Sequence, residues 1–498
     1  MKNTHNQDSY THILKYTSLF GGVQGLGILM GIVRNKLVAV ILGPDGMGLV
    51  SLFNSTIKLL GDSTNFGISM SAVKNISEAY DHGDQAALQH GVAVVRLWSM
   101  LAALLGTVLC VVLSPWLSRF TFSWDGHTLH FVCLAPVVGM TALTGGELAI
   151  MKGTRRLKAL AAVSVYGIVG ALVVSVPLYW LFGQQAIVPS LLLLALLQLG
   201  LTLGFSYRKQ PLRWHFDRSL MADGYSMIRL GVAFVVAGML GSGADFIIRS
   251  YLSKTASLET LGLYNAAYMM TMTYVGMVFS AMETDYFPRL SGINHLGVTF
   301  NTTVNRQVEV MLLLVSPLLV AFMVSLPVLL PMLYSGRFRP ALGMMQVVVL
   351  AMYLRALKLP VQYIPLAKGD SRSYLFLEAV CDVAMVAGVV TLFNAYGLTG
   401  AGFGILIMSI VDLLVTYVYT RWRYGYRPSW PVVGYTAMQL PFGLAAYALT
   451  FVACPWVYWS VGAVLAAGSL TVSLQVLKSK THLWQSLTAK LKRKFGRP

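Results

Sequence analysis

The stretch RNKLVAVILGPDGMGL, residues 34–49, decides where the first two helices are drawn. Ending the first helix at Val33 would make Arg34-Asn35-Lys36 a loop. It would also leave Gly43-Pro44-Asp45-Gly46 at the centre of the next helix. That tetrapeptide is a strong turn signal, because glycine reaches unusual backbone angles and proline cannot continue a helix. The turn therefore belongs at 43–46, and Arg34 and Lys36 fall inside a long first helix. At 1.5 Å per residue Arg34 lies roughly 13 Å below that turn. A cation so deep in apolar sequence is a functional candidate by default.

The same apolar character runs to both ends of the chain. It has 498 residues, 56% hydrophobic and 11% charged, with a mean hydropathy of +0.66, against about 25% charged for soluble domains. A membrane-crossing helix needs roughly 20 apolar residues, and the pattern predicts about fourteen: 12–42, 46–76, 91–114, 128–150, 159–182, 187–206, 225–248, 260–283, 305–334, 341–366, 373–394, 399–420, 431–453 and 456–476. The expected fold is an all-α, polytopic membrane protein. No connection is long enough to hide a soluble domain.

The formal charge of +18 is largely topological. Lys152, Arg155, Arg156 and Lys158 form one basic connection, and Arg208, Lys209, Arg213 and Arg218 another. Lys368 with Arg372, then Arg421, Arg423 and Arg427, continue the alternation. The connections between are poorer in them, Arg249, Lys254, Arg337 and Arg339 excepted; basic residues in alternate connections mark the cytoplasmic face, so a multi-pass protein of the bacterial inner membrane is expected, with both termini inside. No nucleic-acid partner is implied. The polar start, to about Thr11, leads into a retained first span rather than a cleaved signal peptide. The tail at 482–495 places Leu483, Leu487 and Leu491 on one face with Lys490, Lys492, Arg493 and Lys494 nearby; it reads either as a basic helix on the anionic leaflet or as a disordered basic tail.

Catalytic signatures do not emerge. The chain has no GxxxxGK[ST] loop and no HExxH, and Cys110, Cys133, Cys381 and Cys454 show no paired spacing. Neither a cofactor, a metal site, a disulfide nor an enzymatic activity is expected. Gly25, Gly27 and Gly31 suit close helix packing rather than nucleotide binding.

An internal echo supports two lobes. Arg34-Asn35-Lys36-Leu37 leads to Gly46-Met47-Gly48-Leu49, and Arg249-Ser250-Tyr251-Leu252 leads to Leu261-Gly262-Leu263. The spacing predicts lobes over 1–206 and 207–424, two added helices over 425–480 and a tail over 481–498. Repeats entering the membrane in the same direction place a site between them near mid-membrane.

Charges inside the apolar segments are the candidate site residues. Lys58 with Asp62, and Asp245 with Arg249, are i,i+4 pairs that can neutralise each other. Lys358 faces Asp382 across the hairpin turning near Lys368. Arg355, Glu309, Glu378 and Asp412 are also embedded. Holding an Arg at mid-membrane costs roughly 2.5–3.5 kcal/mol, whereas an anion about 4 Å away returns up to about 4 kcal/mol. Unpaired basic groups therefore suit an anionic ligand such as a diphosphate.

Residues 35–49, the basic Lys74 and Tyr286-Phe287-Pro288-Arg289-Leu290 resemble the O-antigen translocase group of polysaccharide flippases. That group belongs to the multidrug/oligosaccharidyl-lipid/polysaccharide exporter superfamily. The resemblance implies twelve core helices in two lobes plus two more. It also implies movement of an undecaprenyl-diphosphate-linked oligosaccharide from the cytoplasmic to the outer leaflet by alternating access, serving O-antigen, capsule or exopolysaccharide assembly. A polysaccharide polymerase and glycosyltransferases would be its working partners. Arg34, Lys36, Arg249 and Arg355 match by position the basic residues thought to hold the diphosphate. Lys58 and Lys358 join them as binding candidates on the residue reading, and Asp245, Glu309 and Asp412 are candidates for ion coupling. The resemblance assigns no role to Lys58-Asp62. The rivals are a multidrug/cation exporter, which needs an acidic cavity, and a membrane polymerase or glycosyltransferase, which needs a sizeable catalytic loop.

Overall fold

The computed structural model describes residues 2–122, 126–211, 218–293 and 295–480, with side chains from 27 onward apart from 28, 68–71, 74, 218–219, 226–234, 280–285, 288 and 480. The tail after 480, Arg213, and the side chains of Lys74 and Arg218 lie outside the described residues. Within them the chain forms fourteen α-helices and no strand, and nine helical runs are long and apolar enough to cross a membrane. This is an all-α, polytopic membrane protein.

Helix α1 (Lys2–Thr64) is two helices joined at Gly43, whose φ of 68° and ψ of −172° lie where a side chain would be strained. The turn is where the Gly-Pro-Asp-Gly sequence puts it. Helix α12 (Ser371–Tyr424) doubles back in the same way at Gly397, with φ 60° and ψ −144°. Two expected helices are broken. The one drawn over 46–76 stops at Thr64, because Phe66 and Gly67 take φ of 53° and 69° and the Asn65 side chain accepts the Gly67 amide at 2.7 Å. That is an Asx turn, and the chain restarts as α2 (Ile68–Asp81). The one drawn over 260–283 runs as α8 (Leu258–Tyr268), a π-helical turn at Met269–Tyr274, and α9 (Gly276–Ser291). Within that turn the Thr271 hydroxyl donates to the Ala267 carbonyl at 2.7 Å, the kind of back-bond that bends helices.

The helices gather into two compact units, 1–265 with 333–337 and 266–332 with 338–498. In the first, α3 (Gln85–Thr121), α4 (Thr128–Gly153) and α6 (Ile187–Tyr207) pack in series, while α1 packs on α5 (Leu157–Phe182) and α7 (Arg218–Thr255). The two echoing Gly-Leu segments touch each other. A Cβ on Gly262 would meet the Pro44 carbonyl oxygen at 1.8 Å, and one on Gly48 would meet the Leu258 carbonyl oxygen at 2.2 Å. Glycine is what lets these backbones close.

In the second unit α11 (Leu342–Ala367) packs on α9, α12 and α13 (Trp430–Leu449), and α13 packs on α14 (Pro455–Lys480). Residues 347–349, 351–353 and 356–358 of α11 are all buried. A helix buried nearly all round is interior, so its two cations, Arg355 and Lys358, are held inside protein.

Candidate functional site

Each unit carries its own set of embedded charges. In the first, Arg34 is half-buried on α1, and its Nε donates to the Ser175 hydroxyl of α5 at 3.1 Å. Among the described residues it meets no carboxylate. Lys36 is half-buried a half-turn further on. Arg249 is buried on α7; it pairs with Asp245 one turn earlier, and its Nε donates to Ser51 Oγ at 2.8 Å. The i,i+4 pairing expected for Asp245-Arg249 is present, and the added bond to Ser51 ties α7 to the part of α1 that follows the kink.

Lys58 and Asp62 sit further down the same part of α1. They line a cavity of about 320 Å³ together with Asn54, Asn65, Ser99 and Thr141.

In the second unit Arg355, Lys358 and Asp412 share one cavity of about 380 Å³, lined also by Tyr268 and Met272 at the π-helical turn. The Arg355 guanidinium lies over the Phe279 ring, 5.7 Å from its centroid, and has no ion pair among the described residues. Lys358 Nζ contacts Asp412 Oδ2 at 2.5 Å, and both are buried. The expected Lys358–Asp382 pair is therefore replaced by Lys358–Asp412. The physical reason is the reversal at Gly397, which lays the second half of α12 along α11; Tyr417 likewise donates to the Leu357 carbonyl at 3.3 Å. The Asp412 carboxylate also receives the Cys381 thiol at 3.4 Å and the Thr416 hydroxyl at 3.4 Å. Glu378, in the same cavity, accepts a hydrogen bond from Gln362. Arg355 and Lys358 are thus faced by Glu378 and Asp412, two charges of each sign. Glu309 lies apart from this cavity, where the Ser429 hydroxyl that opens α13 donates to it at 3.3 Å.

One buried ionic network escaped the sequence analysis. Arg96 of α3 reaches Glu147 of α4 through Nε at 2.7 Å and Nη2 at 3.3 Å. The same guanidinium donates to the Gln210 and Pro211 carbonyls at 2.7 and 3.1 Å. Ser206 donates to Glu147 at 2.5 Å, and the Tyr207 ring lies 4.4 Å from the Arg96 guanidinium carbon. Every strong donor finds an acceptor, so this network clamps α3, α4 and the end of α6 rather than waiting for a ligand. Its signal was present: one charge of each sign on two successive apolar helices.

The family described as "Polysaccharide biosynthesis protein" matches this chain over residues 37–343, well over half its length. The chain belongs to the polysaccharide biosynthesis protein family.

Relatives of this family member extend across most of its length. The Lipid III flippase of Escherichia coli (strain K12) is 24% identical over 418 residues, covering 80% of this chain and 95% of that one. Among solved structures, the Lipid II flippase MurJ in an inward closed conformation superposes with a TM-score of 0.66 at 12% identity, covering 93% of this chain and 99% of that one. An inward-facing multidrug resistance MATE family transporter of the MOP superfamily gives 0.63 at 14% identity, covering 80% and 94%. The fold is thus shared with transporters of that superfamily.

Proposed function

We propose that this protein is a flippase for undecaprenyl-diphosphate-linked oligosaccharide repeat units, moving them from the cytoplasmic to the outer leaflet of the bacterial inner membrane for O-antigen, capsule or exopolysaccharide assembly. The observation that carries this reading is the presence of embedded guanidinium groups, Arg34 and Arg355, that form no ion pair among the described residues. A cation kept in an apolar segment without an acid is stabilised by an anion supplied from outside, and a diphosphate has the charge to do it. The family and the flippase relatives point the same way. In this reading transport runs by alternating access, with the embedded basic groups holding the diphosphate. Lys36, Arg249 and Lys358 supplement the two arginines, Lys58 lines the path of the head group, one of Asp245, Glu309 and Asp412 carries the coupling ion, and both termini face the cytoplasm. No covalent bond is made or broken.

The tail needs its own surface. An almost wholly apolar groove of about 550 Å³ lies between α10 (Val298–Leu333) and α14, lined by Leu313, Leu318, Ala467 and Leu474. It suits a polyprenyl chain, which gains about 0.8 kcal/mol per buried methylene.

Arg34→Ala tests the reading in cells. Surface polysaccharide should be lost while the amount of protein in the membrane is unchanged, and Arg34→Lys should retain part of it. Normal polymer in Arg34→Ala would remove Arg34 from the site. Ethidium efflux that survives Arg34→Ala and fails in Asp412→Asn would favour a cation exporter instead.

A further inference from the structure

The cavity around Lys58 and Asp62 is built differently from a phosphate site. Its charged groups are one cation and one anion on the same helix, so it offers an anion no net attraction. Around them stand Asn54, Asn65, Ser99 and Thr141, which supply amide and hydroxyl donors and acceptors. Asn54, Lys58 and Thr141 are exposed into this space although they lie on membrane-spanning helices, and polar side chains at such positions face a water-filled cavity rather than lipid. Gly61, Gly145 and Gly146 complete the wall; Gly61 faces open space, whereas Gly146 lets Ser99 close against its backbone. The volume of about 320 Å³ sits at the small end of the roughly 300–1,000 Å³ range of ligand pockets, enough for one ring rather than a whole oligosaccharide.

We infer that this cavity is a carbohydrate subsite that holds one sugar of the lipid-linked head group through Asn54, Asp62 and Thr141. Sugar hydroxyls both donate and accept, which matches a carboxylate, an amide and a hydroxyl around one space. Ser242 of α7 donates its own hydroxyl to the Gly238 carbonyl at 2.8 Å. Lys58 lies 15 residues beyond Gly43, roughly 22 Å along the helix. That is deeper than Arg34 and towards the face from which a cytoplasmic substrate is loaded. This inference rests on the flippase reading and adds to it a place where the identity of the sugar is sensed.

The test uses the full chain in nanodiscs with three defined lipids: undecaprenyl diphosphate, undecaprenyl-diphosphate-N-acetylglucosamine and undecaprenyl-diphosphate-galactose. At least one sugar-bearing lipid should bind about tenfold tighter than the bare diphosphate, the value of one well-made hydrogen bond to a charged or polar group. Asn54→Leu and the isosteric Thr141→Val should erase that margin and leave binding of the bare lipid unchanged. Equal binding of all three lipids to the wild type, or a margin that survives both substitutions, overturns the subsite while the flippase reading stands. Failure of the wild type to bind any of the three overturns the flippase reading and this inference with it.

Discussion

Lys358 and Asp412 show what one buried contact settles. Each is buried, and each is the other's ion-pair partner at 2.5 Å. Removing one member leaves an uncompensated charge, which costs roughly 3–5 kcal/mol, whereas replacing both with apolar groups is often close to neutral. Lys358→Met and Asp412→Leu should each lower the thermal midpoint of the purified protein strongly, and the double variant should regain most of the loss. Equal, additive losses would show that the two side chains do not act as a pair. If the pair also serves transport, the stable double variant will be well folded and inactive. Arg34 differs because its described partner is neutral Ser175; its loss should spare stability and remove transport.

At the scale of elements, the turns were legible and the interruptions were not. Gly43-Pro44 announced the reversal in α1 because two residues with special backbone requirements stood together. The break after Thr64 depends on the Asn65 side chain closing on the Gly67 amide, a local bond that hydrophobic spacing does not register. The π-helical turn at Met269–Tyr274 is equally silent. For the candidate site, the residues were legible as charges out of place, and Asp245–Arg249 was legible as a pair because both lie on one helix. Lys358–Asp412 was not, since Asp412 arrives only when α12 folds back at Gly397, and Arg96–Glu147 joins two different helices.

Asp370 stands in the loop before α12, at its N-cap. Burial alone would raise the Asp370 carboxyl, but the Ser373 hydroxyl and amide, the Tyr424 hydroxyl and the Arg423 guanidinium outweigh it and hold the group below its ordinary value. Asp370 caps α12 through Ser373 and also receives Tyr424 at 2.9 Å, so it joins the two ends of the doubled helix. A carboxyl lowered in the folded state stabilises fully above its unfolded pKa of about 3.9 and loses that effect as pH falls through the folded value. Asp370→Ala should therefore cost about 1 kcal/mol at neutral pH. The gap to wild type should narrow in denaturation curves as pH falls below about 4. A gap that is constant with pH would show that the carboxylate is not the group responsible.

At the scale of the whole molecule, the charge of +18 serves two ends. Most of it orients the chain in the membrane through basic connections, and a small remainder is embedded in apolar helices, where only a ligand or an acid makes it tolerable. Within the second unit an apolar groove runs along α10 and α14 and a polar cavity surrounds Arg355; within the first, a polar cavity surrounds Lys58. The most direct test is translocation in sealed liposomes containing the purified protein and a fluorescent undecaprenyl-diphosphate oligosaccharide, with a membrane-impermeant quencher reporting its leaflet. Wild type should bring the lipid across well above the protein-free rate, and Arg34→Ala should fall back to that rate. Wild-type liposomes no faster than empty ones, or an alanine variant as fast as wild type, would contradict a flippase whose embedded cations hold a phosphorylated lipid.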